Sequence, residues 1–446
     1  MTFDILGKAQ KMLEKHPLCN HCLGRQFALL GYGVDNDKRG EALKILLTMK
    51  AHQSAMSGKK TGITMLKMLA SHGNYPMASV ILQAFKEKSN DPQPCHLCQE
   101  RLQSSKVLAD LALDKLKEYE YKSVLVGIEL PVDVEEREDE FKGEFTIQHG
   151  ETLRNEFSRN IGKTIAEATG KQIEYERPEV VVLINPFTKQ ASLQVNPIHI
   201  GGRYRKLVRD IPQSRWLCNS CRGKGCAKCK GTGRMYLESV EELIGYPALK
   251  MTQGQDIAFH GAGREDVDAR MLGLGRPFVI EVKKPRKRFI SLKNLENAVN
   301  KASKDKVEVS ALFFADKDVV RKLKRSEEAQ KRYKVIVQLN KHVSTAQLTA
   351  LEKTLSGVNI KQQTPTRVIH RRADLMREKY IYEANVKRLT PSRFALEIRC
   401  QGGLYVKELI TGDDGRTVPN VAQILGVKAV PLELDVLGVY MEEENR

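Results

Sequence analysis

The sequence predicts an α+β fold with more than one domain, and three observations lead to this prediction. Residues 1–120 repeat the i, i+3, i+4 apolar spacing of amphipathic helices. The rest of the chain alternates short apolar strands with helices. Closely spaced cysteine pairs lie between two such regions. Since 446 residues suffice for two to four domains, we expect an accessory region over 1–210, a four-cysteine linker over 211–240 and a larger domain over 241–446.

The elements of the first region follow in order from their apolar periodicity. The predicted elements are helices at ILGKAQKMLEK, RGEALKILLTMKAHQSA and SKVLADLALDKLKEYE, a buried strand at SVLVGIELPV, an acidic loop at DVEEREDEFKGE, a helix at ETLRNEFSRNIGKTIAEATG that Gly170 closes, and strands at PEVVVLINPF and KQASLQVNPIHI. The basic segment GGRYRKLVR follows. This β-α-β-β run with a basic exit fits an RNA-binding module and an ordinary α/β domain equally well.

The larger domain is predicted to alternate helices and strands. The predicted elements are a helix at SVEELIGYPALKMT, a strand at RPFVIEV, a strand-helix-strand unit at VEVSALFFA, residues 316–330 and YKVIVQL, and further elements at TAQLTALEKTL, YIYEANVKRL, RFALEIRCQG and ELDVLGVYME. The basic run KKPRKRF follows the first strand. Such runs are usually solvated, but one beside an active site can hold phosphates.

Charge and composition indicate a polyanionic partner. The formal net charge is +18 and the isoelectric point is near 9.4, which favours a nucleic acid over an anionic membrane or unspecific basicity. A single tryptophan, Trp216, does not support a broad stacking surface for single strands. No stretch approaches the roughly 18 apolar residues of a membrane span, and the N-terminal residues lack the apolar block of a signal peptide. We therefore expect a cytoplasmic protein.

Eight of the nine cysteines form four C-x-x-C pairs. Such a pair places two thiolates on one tetrahedral Zn²⁺, so two pairs complete a closed structural site. The tandem repeat C-x-x-C-x-G-x-G predicts one site from Cys218, Cys221, Cys226 and Cys229, the alternative being a metal-free knuckle. The distant pairs Cys19/Cys22 and Cys95/Cys98 are assigned to a second site by their number alone. One or two structural zinc sites are therefore expected.

Several common catalytic motifs are incomplete. SGKKT places Gln53 where a phosphate-binding loop has its first glycine, and LGLGRPF places Phe278 where a dinucleotide motif has its last. H-E-x-x-H and G-x-S-x-G do not occur. Phosphoryl transfer, hydride transfer and zinc hydrolysis are therefore disfavoured, and no organic cofactor is expected.

The densest charged segment is GREDVDARMLGLGRPFVIE, with three acids and two arginines between Arg264 and Arg270. In an extended chain Arg264, Asp266, Asp268 and Arg270 share one face, whereas a helix would make Asp266 and Arg270 a plain i, i+4 pair. The residues alone leave two interpretations open. The segment is either a charged turn held by its own ion pairs or the carrier of a catalytic carboxylate.

This segment resembles the catalytic segment of the archaeal-eukaryotic tRNA pseudouridine synthase family that acts on uridines 54 and 55 of the T-arm. The resemblance spans nearly the whole chain through GGRYRKL, the cysteine knuckle, RPFVIE, TPTRVIHRR and GGLYVKELITGDDGRT. It implies a cysteine-paired N-terminal region with a THUMP-type RNA-binding domain, followed by a synthase domain with a mixed or antiparallel sheet flanked by helices. It also implies isomerase activity on tRNA. We expect no membrane binding, no obligate protein partner and a monomer, and the sequence leaves the oligomeric state open.

The resemblance also assigns roles to residues. In the R-E-D triplet Asp266 matches the nucleophilic aspartate, and in K-R-Y Tyr333 matches the tyrosine that stacks on the target base and is a candidate for removing the C5 proton. In L-Y-V-K Lys407 matches the basic residue that pairs with the aspartate, and Leu434 fits a leucine that packs near the base. The expected RNA contacts are Arg264, Lys283, Lys284, Arg286, Arg203, His370, Arg371 and Arg372.

Several alternatives stay open at this point. The same zinc modules and basic surface would suit a non-enzymatic RNA-binding protein or RNA chaperone. A THUMP-bearing methyltransferase or thiolation enzyme would need an AdoMet or ATP site, which the sequence lacks. Within the synthase prediction, the modified uridine (54, 55 or both) and the route are undetermined, since the carboxylate can attack C1′ or remove the 2′ proton to give a glycal.

Overall fold

A computed structural model describes residues 4–324 and 329–440, with the backbone alone at residue 371. Within these ranges the chain divides into two compact units, Met1–Asn196 and Pro197–Arg446. Both units mix helices with sheet, which confirms the predicted α+β class. None of the helices in the described ranges combines the length and apolar character needed to cross a bilayer.

The first unit begins with helices and continues as a small α/β layer. Its helices are α1 (Ile5–Lys15), α2 (Asn20–Gly24), α3 (Asn36–Met56), α4 (Lys60–Ser71), α5 (Pro76–Ala84), α6 (Ser105–Leu116), α7 (Val132–Glu144) and α8 (Leu153–Thr169). Its strands are β1 (Ser123–Ile128), β2 (Gln172–Ile173), β3 (Val180–Asn185) and β4 (Gln190–Val195). The sheet order is β2-β1-β3-β4, with β1 parallel to β2 and β3, and β4 antiparallel to β3. One apolar core joins the helices to this sheet.

The prediction of a loop for the acidic segment DVEEREDEFKGE is wrong, because residues 132–144 form the helix α7. Val134, Glu138 and Phe141 lie on one buried face at helical spacing, so the charges are confined to the other sides. Asp133 and Glu135 in the first turn also favour a helix start through the helix dipole. The buried Glu138 carboxylate accepts a hydrogen bond from the guanidinium of the fully buried Arg25. The prediction of a loop rested on the high charge of the segment, which in fact forms a helix held to the core by a buried ion pair.

The second unit is built on one large sheet. Its helices are α9 (Val240–Thr252), α10 (Leu292–Ala302), α11 (Lys317–Lys324), α12 (Thr345–Leu355), α13 (Val406–Thr411) and α14 (Val421–Leu425). Its strands are β5 (Ile198–Lys206), β6 (Asp256–Gly261), β7 (Arg270–Lys283), β8 (Val307–Ala315), β9 (Gln330–Leu339), β10 (Val358–Gln363), β11 (Met376–Thr390), β12 (Arg393–Cys400), β13 (Thr417–Val418) and β14 (Ala429–Tyr440). The helix predicted over 316–330 begins as α11, and its residues 325–328 lie outside the described ranges.

The strand order of the large sheet is β13-β10-β11-β12-β9-β14-β7-β5-β8, and β6 pairs with β7. The β14–β7 contact is parallel and the others are antiparallel, which confirms the predicted mixed sheet flanked by helices. Two apolar cores lie against this sheet, and the side chain of Tyr333 packs against both. The neighbouring strands β9, β14 and β7 therefore lie in the part of the sheet where the two apolar cores are adjacent.

The division between the units differs from the boundary predicted near residue 210. The expected single strand KQASLQVNPIHI is broken at Asn196-Pro197, and its second half becomes β5, which pairs with β7 and β8 in the large sheet. Proline at this point supplies no ladder donor, so a break between the strands is favoured there. The cysteine linker also lies within the second unit. The predicted boundary missed this because period-two alternation continues across the break.

Candidate active site

A pocket of about 690 Å³ opens over the centre of the large sheet. Its wall contains residues from several separate parts of the second unit. These are the loop before β7, strands β9, β11 and β14, the segment before β11, the end of α11, the start of α13 and the segment around Trp216. Asp266, Tyr333, Lys407 and Leu434, which the sequence placed in one site, all line it. Elements far apart in the chain thus supply one cavity with acidic, basic and aromatic side chains.

An acid-base cluster occupies the open side of the loop before β7. Asp266 Oδ2 lies 3.3 Å from Lys407 Nζ and 3.4 Å from Arg367 Nη2. Lys407 Nζ also donates to both carboxylate oxygens of Asp268, at 2.7 and 2.9 Å. The sequence paired Lys407 with Asp266 alone, whereas its shorter contacts are to Asp268. Asp266 therefore faces two cations, one of which it shares with a second aspartate.

The pKa of Asp268 reflects this arrangement. Burial acts to raise it, but the hydrogen bond and charge of Lys407, together with the charge of Arg367, hold the pKa below its ordinary value. Burial acts to lower the pKa of Arg367, but the hydrogen bond from its Nε to Glu408 Oε1 at 2.7 Å, together with the negative charges of Asp266 and Glu408, raises the pKa overall. These contacts therefore favour the ionised forms of Asp268 and Arg367.

The buried side of the same loop is an ion-pair network. The Glu265 carboxylate accepts hydrogen bonds from the Tyr204 hydroxyl at 2.9 Å and from Arg276 Nε at 3.1 Å, and both members of the Glu265–Arg276 pair are buried. Gln213 Nε2 donates to the Tyr204 hydroxyl at 2.8 Å and to the Gly263 carbonyl at 2.9 Å. Fixed side chains on β5 and β7 thus determine where the loop runs.

The loop is a turn, and its backbone is tied to other elements. The Ala269 N–H donates to the Asp266 carbonyl at 3.0 Å, which closes a turn over 266–269. The buried Lys206 Nζ donates to the carbonyls of Asp266 at 3.2 Å and Val267 at 3.0 Å. The extended alternative considered from sequence, which would have put the two aspartates and two arginines on one face, is therefore wrong.

The arginines of the segment contact other elements. Arg270 donates to both carboxylate oxygens of Asp435 on β14, at 2.9 and 2.7 Å, and the Arg264 guanidinium lies 5.6 Å from the ring centre of Trp216. Arg209 links the same aspartate to the turn. Its Nη2 donates to Asp435 Oδ1 at 2.8 Å, and its Nη1 donates to the Asp268 carbonyl at 2.8 Å. The turn is thus held from outside rather than by its own ion pairs.

Tyr333 and Leu434 lie on neighbouring strands in the pocket wall. Tyr333 is paired with Val436 of β14 and Ile398 of β12, and Leu434 is paired with Val335 of β9. Burial, the largest influence, raises the pKa of Tyr333, and the nearby carboxylate of Asp266 also acts in that direction. The phenol is therefore neutral at physiological pH.

The predicted RNA contacts fall into two groups. Arg264 and Arg372 line the pocket, and Arg372 Nη1 donates to the Tyr405 hydroxyl at 3.0 Å. The others whose side chains the structure describes lie outside its wall. Lys283 pairs with Asp256 at 2.8 Å, Arg203 Nη1 donates to the Gly275 carbonyl at 3.1 Å, Lys284, Arg286 and His370 are exposed, and the Arg371 side chain lies outside the described part of the chain.

Sequence reasoning missed two residues of the site, Arg367 and Glu265. Arg367 is one of several cations in TPTRVIHRR, and only the fold shows that it faces Asp266. Glu265 carried a usable signal. It falls on the apolar side of an alternating segment, and an acid at such a position indicates a buried partner.

Each cysteine set that the sequence predicted forms a compact tetrad. The eight thiols group as Cys19, Cys22, Cys95 and Cys98, and as Cys218, Cys221, Cys226 and Cys229, with all sulfurs of a group within 4.8 Å of one another. Sulfur separations of 3.6 to 3.9 Å fit the roughly 3.8 Å expected for four thiolates about 2.3 Å from a tetrahedral zinc ion. Backbone N–H groups of Gly225 and Gly233 donate to Cys221 and Cys229 sulfurs at 3.2 Å. Both tetrads could therefore hold a metal ion.

Residues 199–440 match the family model described as Pus10, C-terminal, and residues 108–185 match the one described as Pus10 THUMP domain, archaeal. The tRNA pseudouridine synthase Pus10 of Methanothrix thermoacetophila is 40% identical over 438 residues, covering 98% of this chain and 94% of that protein. The chain belongs to the Pus10 family. The Pus10 protein of Methanocaldococcus jannaschii is 41% identical over 442 residues, covering 96% of this chain and 93% of that protein.

Membership of the Pus10 family confirms the family that the sequence motifs indicated, including the THUMP domain, and makes this chain an isomerase of the pseudouridine synthase class. The first family match begins at residue 199, close to the structural division between the units. Among solved structures, a chain of a Cbf5-Nop10-Gar1 complex is similar at 16% identity and a TM-score of 0.30, covering 46% of this chain and 47% of that chain. This likeness is too low to support further conclusions.

Proposed function

We propose that the protein isomerises uridine 54, uridine 55 or both in the T-arm of tRNA, with Asp266 acting at the ribose. The observation that carries this is the position of Asp266, which lies in the wall of a pocket between Lys407 and Arg367, 3.3 and 3.4 Å away. The relatives' name supplies tRNA as the substrate class. The net charge of +18 suits such a polyanion.

The reaction breaks the N1–C1′ bond, turns the uracil ring, forms a C5–C1′ bond and moves the C5 proton to N1. Asp266 either attacks C1′ or removes the 2′ proton to give a glycal, and both routes need a carboxylate anion. Lys407 and Arg367 supply the positive charge that stabilises this anion. The atoms balance within the nucleotide, so neither route requires an organic cofactor.

Tyr333 is proposed to hold the uracil ring once the nucleotide leaves the T-loop stack. Its raised pKa keeps the phenol neutral, which favours the stacking role over direct removal of the C5 proton. Leu434 adds an apolar contact from β14 beside it. Pocket volume, an aromatic ring and an anionic acid together suit a flipped uridine.

Backbone contacts are proposed in two zones. Arg264 and Arg372 contact phosphates beside the pocket, and the exposed Lys284, Arg286 and His370 contact the RNA further out. Both cysteine tetrads are proposed to bind structural zinc, because four thiolates leave no open coordination position for substrate. Thiolate ligands also suit a reducing compartment, in keeping with a cytoplasmic location.

The test is turnover and binding by Asp266→Asn on a uridine-containing tRNA transcript. We expect pseudouridine formation to fall by at least about 10³-fold, the scale for loss of an essential nucleophile. The dissociation constant for the transcript should stay within a few fold, since the amide has the same shape. Mapping the product residue identifies position 54, position 55 or both. An active Asp266→Asn, or wild-type protein that binds without turnover, would contradict the proposal.

A further inference from the structure

The only tryptophan of the chain, Trp216, lies in the wall of the pocket that contains Asp266. It belongs neither to the acid-base cluster nor to the apolar cores of the unit. Its indole is partly exposed, although tryptophan is the largest apolar side chain and is usually well buried. The position of such a residue in a polar pocket therefore needs a reason beyond packing.

The second cysteine tetrad holds the backbone of Trp216 in place. The Met235 N–H donates to the Trp216 carbonyl at 3.0 Å, and the adjacent residue Leu217 forms a bridge with Arg234. One residue further, the Cys218 N–H donates to the Gly233 carbonyl at 2.8 Å. These contacts pair residues 216–218 with residues 233–235 in a short hairpin, which runs from Trp216 to the tetrad.

The base of this hairpin is anchored to α9. Arg234 Nη1 donates to Glu242 Oε1 at 2.6 Å, and the Tyr246 hydroxyl donates to the same oxygen at 3.0 Å. The Glu242 carboxylate is buried. The hairpin is therefore fixed at both ends, by the thiols at its tip and by an ion pair at its base.

The indole has an aromatic and a cationic neighbour. Tyr236 packs against it at 5.5 Å with an interplanar angle of 73°, and the guanidinium of Arg264 lies 5.6 Å from its ring centre. Arg264 stands two residues before Asp266. Aromatic rings and arginine planes are the groups on which proteins stack unpaired bases of RNA.

We propose that Trp216, held by the hairpin of the second cysteine tetrad, is a stacking platform for an unpaired base next to the flipped uridine. This inference rests on the proposed function, because a base must leave the T-loop stack for a neighbour to become unpaired. The guanidinium of Arg264, which lies beside the indole of Trp216, pairs with the phosphate that follows that base. Trp216 thus contributes to the binding of the RNA and not to bond breaking.

The expected size follows from the stacking of one base on one ring. Loss of such a contact weakens RNA binding by roughly 5- to 150-fold. We expect Trp216→Leu to raise the KM and the dissociation constant for a T-arm stem-loop RNA by about tenfold, with kcat changed by less than about threefold. Trp216→Phe keeps an aromatic face and should recover most of the affinity. Leu237→Ala, which removes an exposed apolar side chain near the same hairpin, is the matched control and should bind normally.

Fluorescence provides a second measurement on the unaltered chain, because all of its tryptophan emission comes from Trp216. A T-arm stem-loop RNA should quench this emission in proportion to its binding. Two further RNAs each carry an abasic nucleotide, one before and one after the target uridine. One of the two should bind with little quenching, because it lacks the base that stacks on Trp216. That same RNA should bind wild type and Trp216→Leu equally, so the tenfold difference disappears.

The outcomes separate this inference from the proposed function. Quenching that depends on one flanking base, without pseudouridine formation in the T-arm RNA, would support stacking and contradict the proposed modification of uridine 54 or 55. Turnover with unquenched emission, or a Trp216→Leu penalty that is the same on all abasic RNAs, would contradict stacking alone. If Trp216→Leu does not fold, the quenching series on wild type still decides the question.

Discussion

The buried and open sides of the loop before β7 use similar side chains for opposite purposes. Glu265, on the buried side, is fully enclosed with Tyr204 and Arg276 as partners. Its neighbour Asp266, on the open side, is 37% exposed and meets Lys407 and Arg367 across a pocket. Adjacent acids therefore have different environments: Glu265 fixes the backbone of the loop, and Asp266 stays exposed in the pocket.

This difference shows why exposure decides the role of a charged residue more than its charge does. A buried ion pair that loses one partner leaves an uncompensated charge in the core, whereas an exposed pair loses little. Substitutions on the buried side should therefore lower stability, and those on the open side should lower activity with little change in stability.

The largest effect on stability is expected from Glu265→Ala. It leaves the Arg276 guanidinium and the Tyr204 hydroxyl buried without their acceptor, at a cost of about 3–5 kcal/mol. In a unit of this size that lowers Tm by about 10 °C, which calorimetry measures. The control is Glu308→Ala, whose partner Arg205 is the neighbour of Tyr204 on β5 but forms an exposed pair. That change should cost less than about 1 kcal/mol. Equal costs for the two variants would contradict this difference between buried and exposed pairs.

The next effect is expected on activity, from Lys407→Met. This change removes the cation nearest both aspartates while keeping the apolar stem of the side chain. Loss of one electrostatic contact at a reacting group typically costs about 10²-fold in kcat or more. Single-turnover rates at saturating RNA would measure it, and Tm should fall by no more than a few degrees. Lys407→Arg should retain part of the rate. A Lys407→Met variant with normal kcat would remove this residue from the proposed site.

A smaller effect is expected from Asp268→Asn, although Asp268 has the shorter contacts to Lys407. The substitution frees Lys407 Nζ to approach Asp266, which lies only 3.3 Å away. We expect kcat to change by no more than about fivefold, in contrast to Asp266→Asn. The measurement is the same single-turnover assay. An inactive Asp268→Asn that folds and binds RNA normally would transfer the proposed nucleophile role from Asp266 to Asp268.

The same loop shows what the sequence can and cannot predict. The family resemblance assigned a catalytic role to Asp266 through the R-E-D triplet, and it assigned roles to Tyr333 and Lys407 through K-R-Y and L-Y-V-K. Arg367 has no distinctive local pattern, and only the fold places it near Asp266. The boundary at Pro197 was missed for a related reason: β4 and β5 share one alternating pattern, and only pairing with β7 and β8 assigns β5 to the large sheet. Long-range pairing, not local chemistry, accounts for these differences.

The smallest predicted effect is the pH dependence of the Asp268–Lys407 contact. Burial acts to raise the pKa of Asp268, but Lys407 and Arg367 hold it below the ordinary value near 3.9. A folded pKa below the unfolded one means that ionised Asp268 stabilises the fold at higher pH, and this is lost as pH falls through the folded pKa. Because the side chain is 59% exposed, the contribution is below about 1 kcal/mol. Urea unfolding should therefore show wild type slightly more stable than Asp268→Asn at pH 7 and at pH 5, with the difference shrinking below pH 4. A difference that grew on acidification would mean that the carboxylate is destabilising when ionised.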